Sequence, residues 1–110
     1  MTAYLYIESR DPFDSADSRY FPDLVKGTRE RGHKTTLFLV QNGVLPARKG
    51  SQFSDRFREL AEAGITIYAD DFSLAERAIG AADTDSHVQS AGMDRLLDLL
   101  LEPDTKAVWH

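Results

Sequence analysis

The residues with the clearest chemical potential in this sequence are Asp70 and Asp71, which directly follow an apolar run and precede Ser73. Two adjacent carboxylates, together with acids of the first loop, could bind a divalent metal ion or a small polar ligand. A structural role is the simpler alternative, because Asp71 or Ser73 could cap the following helix, and Ser73 with Glu76 fits a capping box. We predict a binding role for Asp70, Asp71 and Ser73, with capping as the alternative.

A second group of candidates lies in the loop after the apolar run at 35–40. Asn42 and Arg48 offer hydrogen-bond donors, and Arg48 could neutralise a small anion or pair with Asp70. The alternative is a simple Asn42-Gly43 turn followed by an exposed arginine. Both interpretations stay open, and Asn42 and Arg48 are added to the predicted binding residues.

Several chemistries are excluded by what the sequence lacks. It contains no cysteine, which excludes disulfides, thiolate catalysis and cysteine-based zinc sites. The histidines His33, His87 and His110 lack the spacing of a zinc motif, and we interpret His110 as solvated. A Gly-x-Ser-x-Gly elbow is absent, as is a glycine-rich turn after the first strand. We therefore predict no catalytic residues, no metal ligands and no cofactor.

Composition and charge limit the partners. The sequence has 13 basic and 18 acidic residues, a net charge of -5, which argues against a nucleic-acid-binding surface. No apolar run approaches the roughly 20 residues of a membrane span, and the first residues do not resemble a signal peptide. We expect a cytoplasmic protein without membrane contact. Its 110 residues, 42% of them hydrophobic, predict a single domain over 1–110.

Strand and helix patterns alternate along the chain. Apolar runs predict strands at 4–7, 35–40, 65–68, 87–89 and 107–109. Apolar residues at helical spacing predict four helices between them, ending near Gly32, Gly64, Gly80 and Pro103, and 41–51 is predicted as a loop. This alternation indicates an α/β fold with a parallel sheet covered by helices on both faces. Ligands bind such sheets beyond the carboxyl ends of the strands, where the candidate residues lie.

Four segments, at 38–44 (FLVQNGV), 68–79 (YADDFSLAERAI), 90–96 (SAGMDRL) and 106–109 (KAVW), together resemble the DsrE/DsrF-like family. The resemblance covers essentially the whole chain, and the joint spacing is more specific than any one segment. It implies a flavodoxin-like three-layer α/β/α fold with a five-stranded, mostly parallel sheet. It also implies assembly into homotrimers, hexamers or complexes with paralogous subunits, and a place in sulfur relays where a cysteine after the third strand accepts a persulfide.

The chain departs from the family pattern where the sulfur chemistry resides. Aligned through Arg77, the persulfide cysteine falls on Asp70, a second cysteine position on Ser73, and a common glycine on Ala78. A carboxylate cannot form the S–S bond that persulfide transfer requires. We therefore predict a DsrE-like, sulfur-metabolism-associated protein that acts as a non-catalytic binding or assembly subunit. The alternative is an enzyme or sensor that binds a metal or small ligand at the acidic edge around Asp70 and Asp71.

Overall fold

Five strands and four helices form the computed structural model, which describes residues 2–110. The strands are β1 (Ala3–Glu8), β2 (Lys34–Leu39), β3 (Thr66–Asp70), β4 (Gln89–Ala91) and β5 (Thr105–Trp109). The helices are α1 (Phe21–Glu30), α2 (Ser54–Glu62), α3 (Asp71–Glu76) and α4 (Met93–Leu101). The strands are all parallel and lie in the order β4-β3-β2-β1-β5, so every strand ends at the same edge of the sheet.

The first face of the sheet is covered by α1, α2 and α3. Alternate residues of the strands point to this face because successive side chains of a strand face opposite ways. The strand side chains Tyr6, Leu37, Leu39, Ile67 and Ala69 pack there with helix side chains, among them Phe21, Val25, Phe57, Leu60 and Leu74. This larger core fixes the three helices against the sheet, mainly by removing apolar surface from water.

The second face is covered by α4. Leu5, Ile7 and Phe38 of the strands and Val40, which directly follows β2, form the buried core of this face together with Leu96 of α4. Tyr68, Ala91 and Leu99 are partly buried against it. Helices therefore lie on both faces of a five-stranded parallel sheet, which confirms the predicted three-layer α/β/α class.

Most strand boundaries differ from the sequence prediction by one or two residues, and three differences change the type, the end or the position of an element. The segment Gln41–Ala47, predicted as loop, is a 310 helix. Helix α3 ends at Glu76 instead of continuing to Ile79, because Ala78 takes a left-handed conformation with φ 55° that stops it. Strand β4 begins at Gln89, opposite Tyr68 of β3, and not at His87.

Candidate functional site

The carboxyl end of β3 passes directly into α3, and Asp70 is the capping residue of that helix. Its Oδ2 accepts hydrogen bonds from the backbone N–H of Ser73 at 3.0 Å and from the Ser73 hydroxyl at 2.6 Å. The prediction that Asp71 or Ser73 caps the helix, and that Ser73 and Glu76 form a capping box, is therefore wrong. The helix begins at Asp71, so Ser73 is its third residue, whose N–H has no acceptor within the helix.

Ser73 also connects α3 to the end of β2. Its hydroxyl oxygen accepts a hydrogen bond from the backbone N–H of Gln41 at 2.9 Å, while its proton goes to Asp70. Gln41 has φ 51°, a left-handed conformation that favours glycine, so this contact holds a strained turn. Asp70 and Ser73 are both only 3% exposed. The three residues thus form a continuous hydrogen-bond network that fixes the ends of two neighbouring strands.

Asn42 and Arg48, the predicted residues of the β2 loop, contact the other end of α3. The Asn42 side-chain oxygen accepts from Arg77 Nε at 3.2 Å and from Arg77 Nη2 at 2.9 Å. Arg48 Nη2 lies 3.5 Å from the carbonyl oxygen of Arg77, so Arg48 does not pair with Asp70. Both predicted residues are exposed, and both contact Arg77 at the C-terminal end of α3. Arg77 was not among the predicted binding residues.

Asp71 lies beside Asp70 in the sequence but faces a different part of the surface. It is exposed and borders a groove of about 500 Å³ beside β4, together with Asp94, Asp98 and Arg95 of α4. Asp70 does not line that groove, and Asp71 does not line the one described next. The structure therefore separates the two acids, because Asp70 is the last residue of β3 whereas Asp71 is the first residue of α3.

Asp70 lies at the base of a groove of about 300 Å³ on the α4 side of the sheet edge. We call it the Asp70 groove. Its apolar lining consists of Val40, Phe72, Met93, Leu96 and Trp109, and its polar lining includes Ser73 and Glu76. Phe72 and Trp109 are 67% and 64% exposed, which is unusual for aromatic side chains of this size. The arrangement offers an open apolar site with a carboxylate at its base.

Two classes of site find no support in the described part of the chain. Within residues 2–110, no helix has both the length and the apolar character that crossing a bilayer requires. The same residues contain no group of three or more histidine, aspartate or glutamate side chains placed to hold a metal ion.

A contact between the buried Glu8 carboxylate and the His110 ring at the end of β1 was missed by the sequence prediction. The Glu8 carboxylate is 5% exposed, and its two oxygens lie 3.1 and 2.9 Å from Nδ1 of His110. The His110 ring also stacks on Phe21, with centroids 5.1 Å apart. The interpretation of His110 as solvated is therefore wrong. Its position beside β1 depends on the pairing of β5 with β1, which spans nearly the whole chain.

A second buried acid, Asp85, joins the start of α2 to the segment before β4. Burial favours the neutral form of Asp85 and alone would raise its pKa. This effect is outweighed by hydrogen bonds from the His87 backbone N–H and the Ser54 hydroxyl, and by contact with the His87 ring. These donors hold the pKa of Asp85 below its usual range. Both carboxylate oxygens are used, so the group acts as a structural acceptor.

The comparisons with known proteins agree with one another. A sequence profile described as the DsrE/DsrF-like family matches residues 2–106, and no curated protein sequence matches the chain. The ychN protein from E. coli is similar in structure, with a TM-score of 0.90 at 15% identity and 100% of both chains covered. The MTH1491 protein of unknown function from Methanobacterium thermoautotrophicum has a TM-score of 0.79 at 15% identity, covering 99% of this chain and 98% of its own.

A third structure, the BT1422 protein of unknown function from Bacteroides thetaiotaomicron, has a TM-score of 0.77 at 18% identity. It covers 97% of this chain and 94% of its own. Identities this low show a shared fold, whereas the profile match shows the family. The chain therefore belongs to the DsrE/DsrF-like family.

Proposed function

We propose that this protein is a non-catalytic assembly subunit of a DsrE-like, sulfur-metabolism-associated complex, built through the outer face of α4. The observation that supports the proposal is the composition and exposure of that helix. Six of the nine residues in its sequence, MDRLLDLLL, are apolar. Only Leu96 is fully buried, while Met93, Leu97, Leu100 and Leu101 are 52%, 51%, 39% and 80% exposed.

The exposed residues of α4 form a stripe that its own sheet does not cover. Met93, Leu97, Leu100 and Leu101 follow the i, i+4, i+7, i+8 spacing of one helix face. A helix that is apolar on two sides is normally buried on both, and a single-chain fold buries this one on one side only. Covering the stripe would contribute roughly 25 cal/mol for each Å² of apolar surface removed from water.

The stripe continues into the Asp70 groove through Met93, which lines the groove beside Phe72 and Trp109. We call the stripe together with these two aromatic side chains the α4 surface. Exposed aromatic and methionine side chains are enriched in protein interfaces. The surface lies at the sheet edge where the family resemblance places the persulfide cysteine, so assembly through it would bring the Asp70 groove next to another subunit.

The proposed role excludes sulfur transfer by the protein's own side chains. None of the 110 residues is a cysteine, and the family resemblance places its persulfide cysteine at the position of Asp70. The Asp70 carboxylate is engaged by Ser73 and cannot form an S–S bond. The partners that fit this role are further copies of the chain, as a trimer or hexamer, or a cysteine-bearing paralogue. We keep the single domain over 1–110 and the cytoplasmic location as part of the proposal.

The oligomeric mass in solution tests the proposal. We expect the wild type to exceed the 12.3 kDa of one chain in light scattering after size-exclusion chromatography at micromolar concentration. Leu97→Glu, which places a charge in the stripe, should reduce the mass to that of a monomer. Leu24→Glu is the matched control, because Leu24 is 53% exposed on α1, outside the α4 surface. A monomeric wild type, or equal masses for both variants, would refute assembly through α4.

The sulfur part is tested separately by mass spectrometry. After incubation with a persulfide donor, the protein should gain no mass corresponding to a sulfur atom, and Asp70→Cys supplies the positive control for accessibility. A stable sulfur adduct on the wild type would contradict the proposed absence of sulfur transfer, whatever the oligomeric state.

A further inference from the structure

The base of the Asp70 groove holds a carboxylate oxygen without a donor. Both hydrogen bonds to Asp70 end on Oδ2, and Oδ1 accepts none from residues 2–110. Asp70 is only 3% exposed, yet it lines the groove. Oδ1 is not fully buried and still reaches solvent, so this oxygen offers a free acceptor to a group bound in the groove.

The surroundings of Asp70 favour a positive group. No ion pair involves Asp70 in the described part of the chain, and no lysine or arginine lines the groove. Glu76 adds a second carboxylate to the lining. The nearest described cation to Glu76 is Arg77, at 3.8 Å. The net charge of -5 adds a negative field around the whole molecule.

The walls of the groove supply two exposed aromatic rings, Phe72 and Trp109. The face of an aromatic ring is negative and attracts cations, most strongly for tryptophan. Aromatic faces combined with a carboxylate are the chemistry that recognises alkylated ammonium groups. The volume of about 300 Å³ is that of a small-molecule site and not of an extended peptide groove.

We infer that the Asp70 groove binds a small organic cation of the alkylammonium class, held by the Asp70 carboxylate and the rings of Phe72 and Trp109. This assigns a ligand class to the groove and goes beyond the proposed assembly role. It does not require assembly, because every lining residue comes from the same chain.

Trp109 provides a direct signal, because it is the only tryptophan in the sequence. We would titrate the full chain with choline chloride and follow Trp109 fluorescence, holding ionic strength constant with sodium chloride. The matched ligand is 3,3-dimethyl-1-butanol, which has the shape of choline but carries no charge. We expect saturable binding of choline, and binding of the neutral compound about tenfold weaker.

Three variants assign the signal to the groove. Asp70→Asn removes the charge but keeps a side-chain oxygen that can cap α3, and should weaken choline binding about tenfold. Glu76→Gln leaves the Asp70 cap intact and should weaken choline binding severalfold. The test therefore stays informative even if Asp70→Asn is less stable than the wild type. Asp94→Asn is the control, because Asp94 is an exposed acid that lines the other groove, and it should leave binding unchanged.

The possible results are distinct. Absence of saturable binding, equal binding of the neutral compound, or unchanged binding in both groove variants would overturn the inference. The Leu97→Glu variant separates the two proposals, because a second copy does not cover the groove of a monomer. Choline binding by a monomeric wild type refutes only assembly, and absence of choline binding by monomeric Leu97→Glu refutes only the cation site.

Discussion

Replacing Asp70 with alanine tests the hydrogen-bond network at the junction of β3 and α3. The alanine removes the acceptor for the Ser73 N–H and leaves the Ser73 hydroxyl proton without its partner. Loss of a helix N-cap costs about 1 kcal/mol, and a buried donor left unsatisfied costs about 1–3 kcal/mol. We therefore expect Asp70→Ala to lower the free energy of unfolding by about 2–4 kcal/mol.

Urea unfolding measures this loss. With an m-value of about 1.5 kcal/mol/M, typical for a chain of this size, the midpoint should fall by roughly 1.3–2.7 M. Asp70→Asn should cost less than about 1 kcal/mol, because asparagine is as good a capping residue as aspartate. The comparison separates the geometry of the cap from the charge of the carboxylate.

A double-mutant cycle with Ser73→Ala tests whether the two residues act together. Because each side chain is the other's partner, the double variant should be less destabilised than the sum of the single variants by about 1 kcal/mol. If Asp70→Ala cost less than about 0.5 kcal/mol, the network would not stabilise the junction. An equal loss in Asp70→Asn and Asp70→Ala would show that the charge, and not the cap, is the relevant property.

Two further predictions follow from local geometry. Ala78→Gly should raise the free energy of unfolding by about 0.5–1 kcal/mol in urea titrations, because Ala78 has φ 55°, a conformation that favours glycine. Ala75→Gly within α3 is the control and should lower the free energy of unfolding by about the same amount. A lower free energy of unfolding in both variants would contradict strain at Ala78. The lowered pKa of Asp85 stabilises the fold above the carboxyl pKa of the unfolded chain, near pH 4, and this stability is lost as the pH falls through the folded pKa. The difference in urea midpoint between wild type and Asp85→Asn should therefore be full at pH 7 and shrink in acid, and a difference independent of pH would refute the assignment.

The order and type of the main elements could be predicted from the sequence because their signals are local. Strands β1, β2 and β3 carry short apolar runs, and α4 carries leucines at helical spacing. The boundaries of α3 were less predictable. Whether Asp70, Asp71 or Ser73 caps the helix depends on where β3 stops, and β3 extends two residues beyond its apolar run because it pairs with β4.

The candidate site was predicted only in part. The sequence placed Asp70, Ser73 and Asn42 near one sheet edge, because parallel strands end together. It did not reveal that Gly43 packs against the end of β1, where an added methyl group would overlap the carbonyl oxygen of Glu8. Nor did it reveal that Asp70 and Asp71 border different grooves. Contacts of this kind depend on the distance between loops that are far apart in the chain.

The sequence by itself determined that no thiol chemistry is possible, since no residue is a cysteine, and that strands and helices alternate in a parallel α/β fold. The tertiary structure decided which side chains meet. The strand order brings β5 beside β1 and so pairs Glu8 with His110, and α4 alone covers the second face, which leaves its outer leucines and Trp109 exposed. Local sequence patterns reveal the spacing of apolar residues within each strand or helix. Strand order arises from the packing of the whole chain, and only that packing shows which apolar side chains stay exposed to solvent.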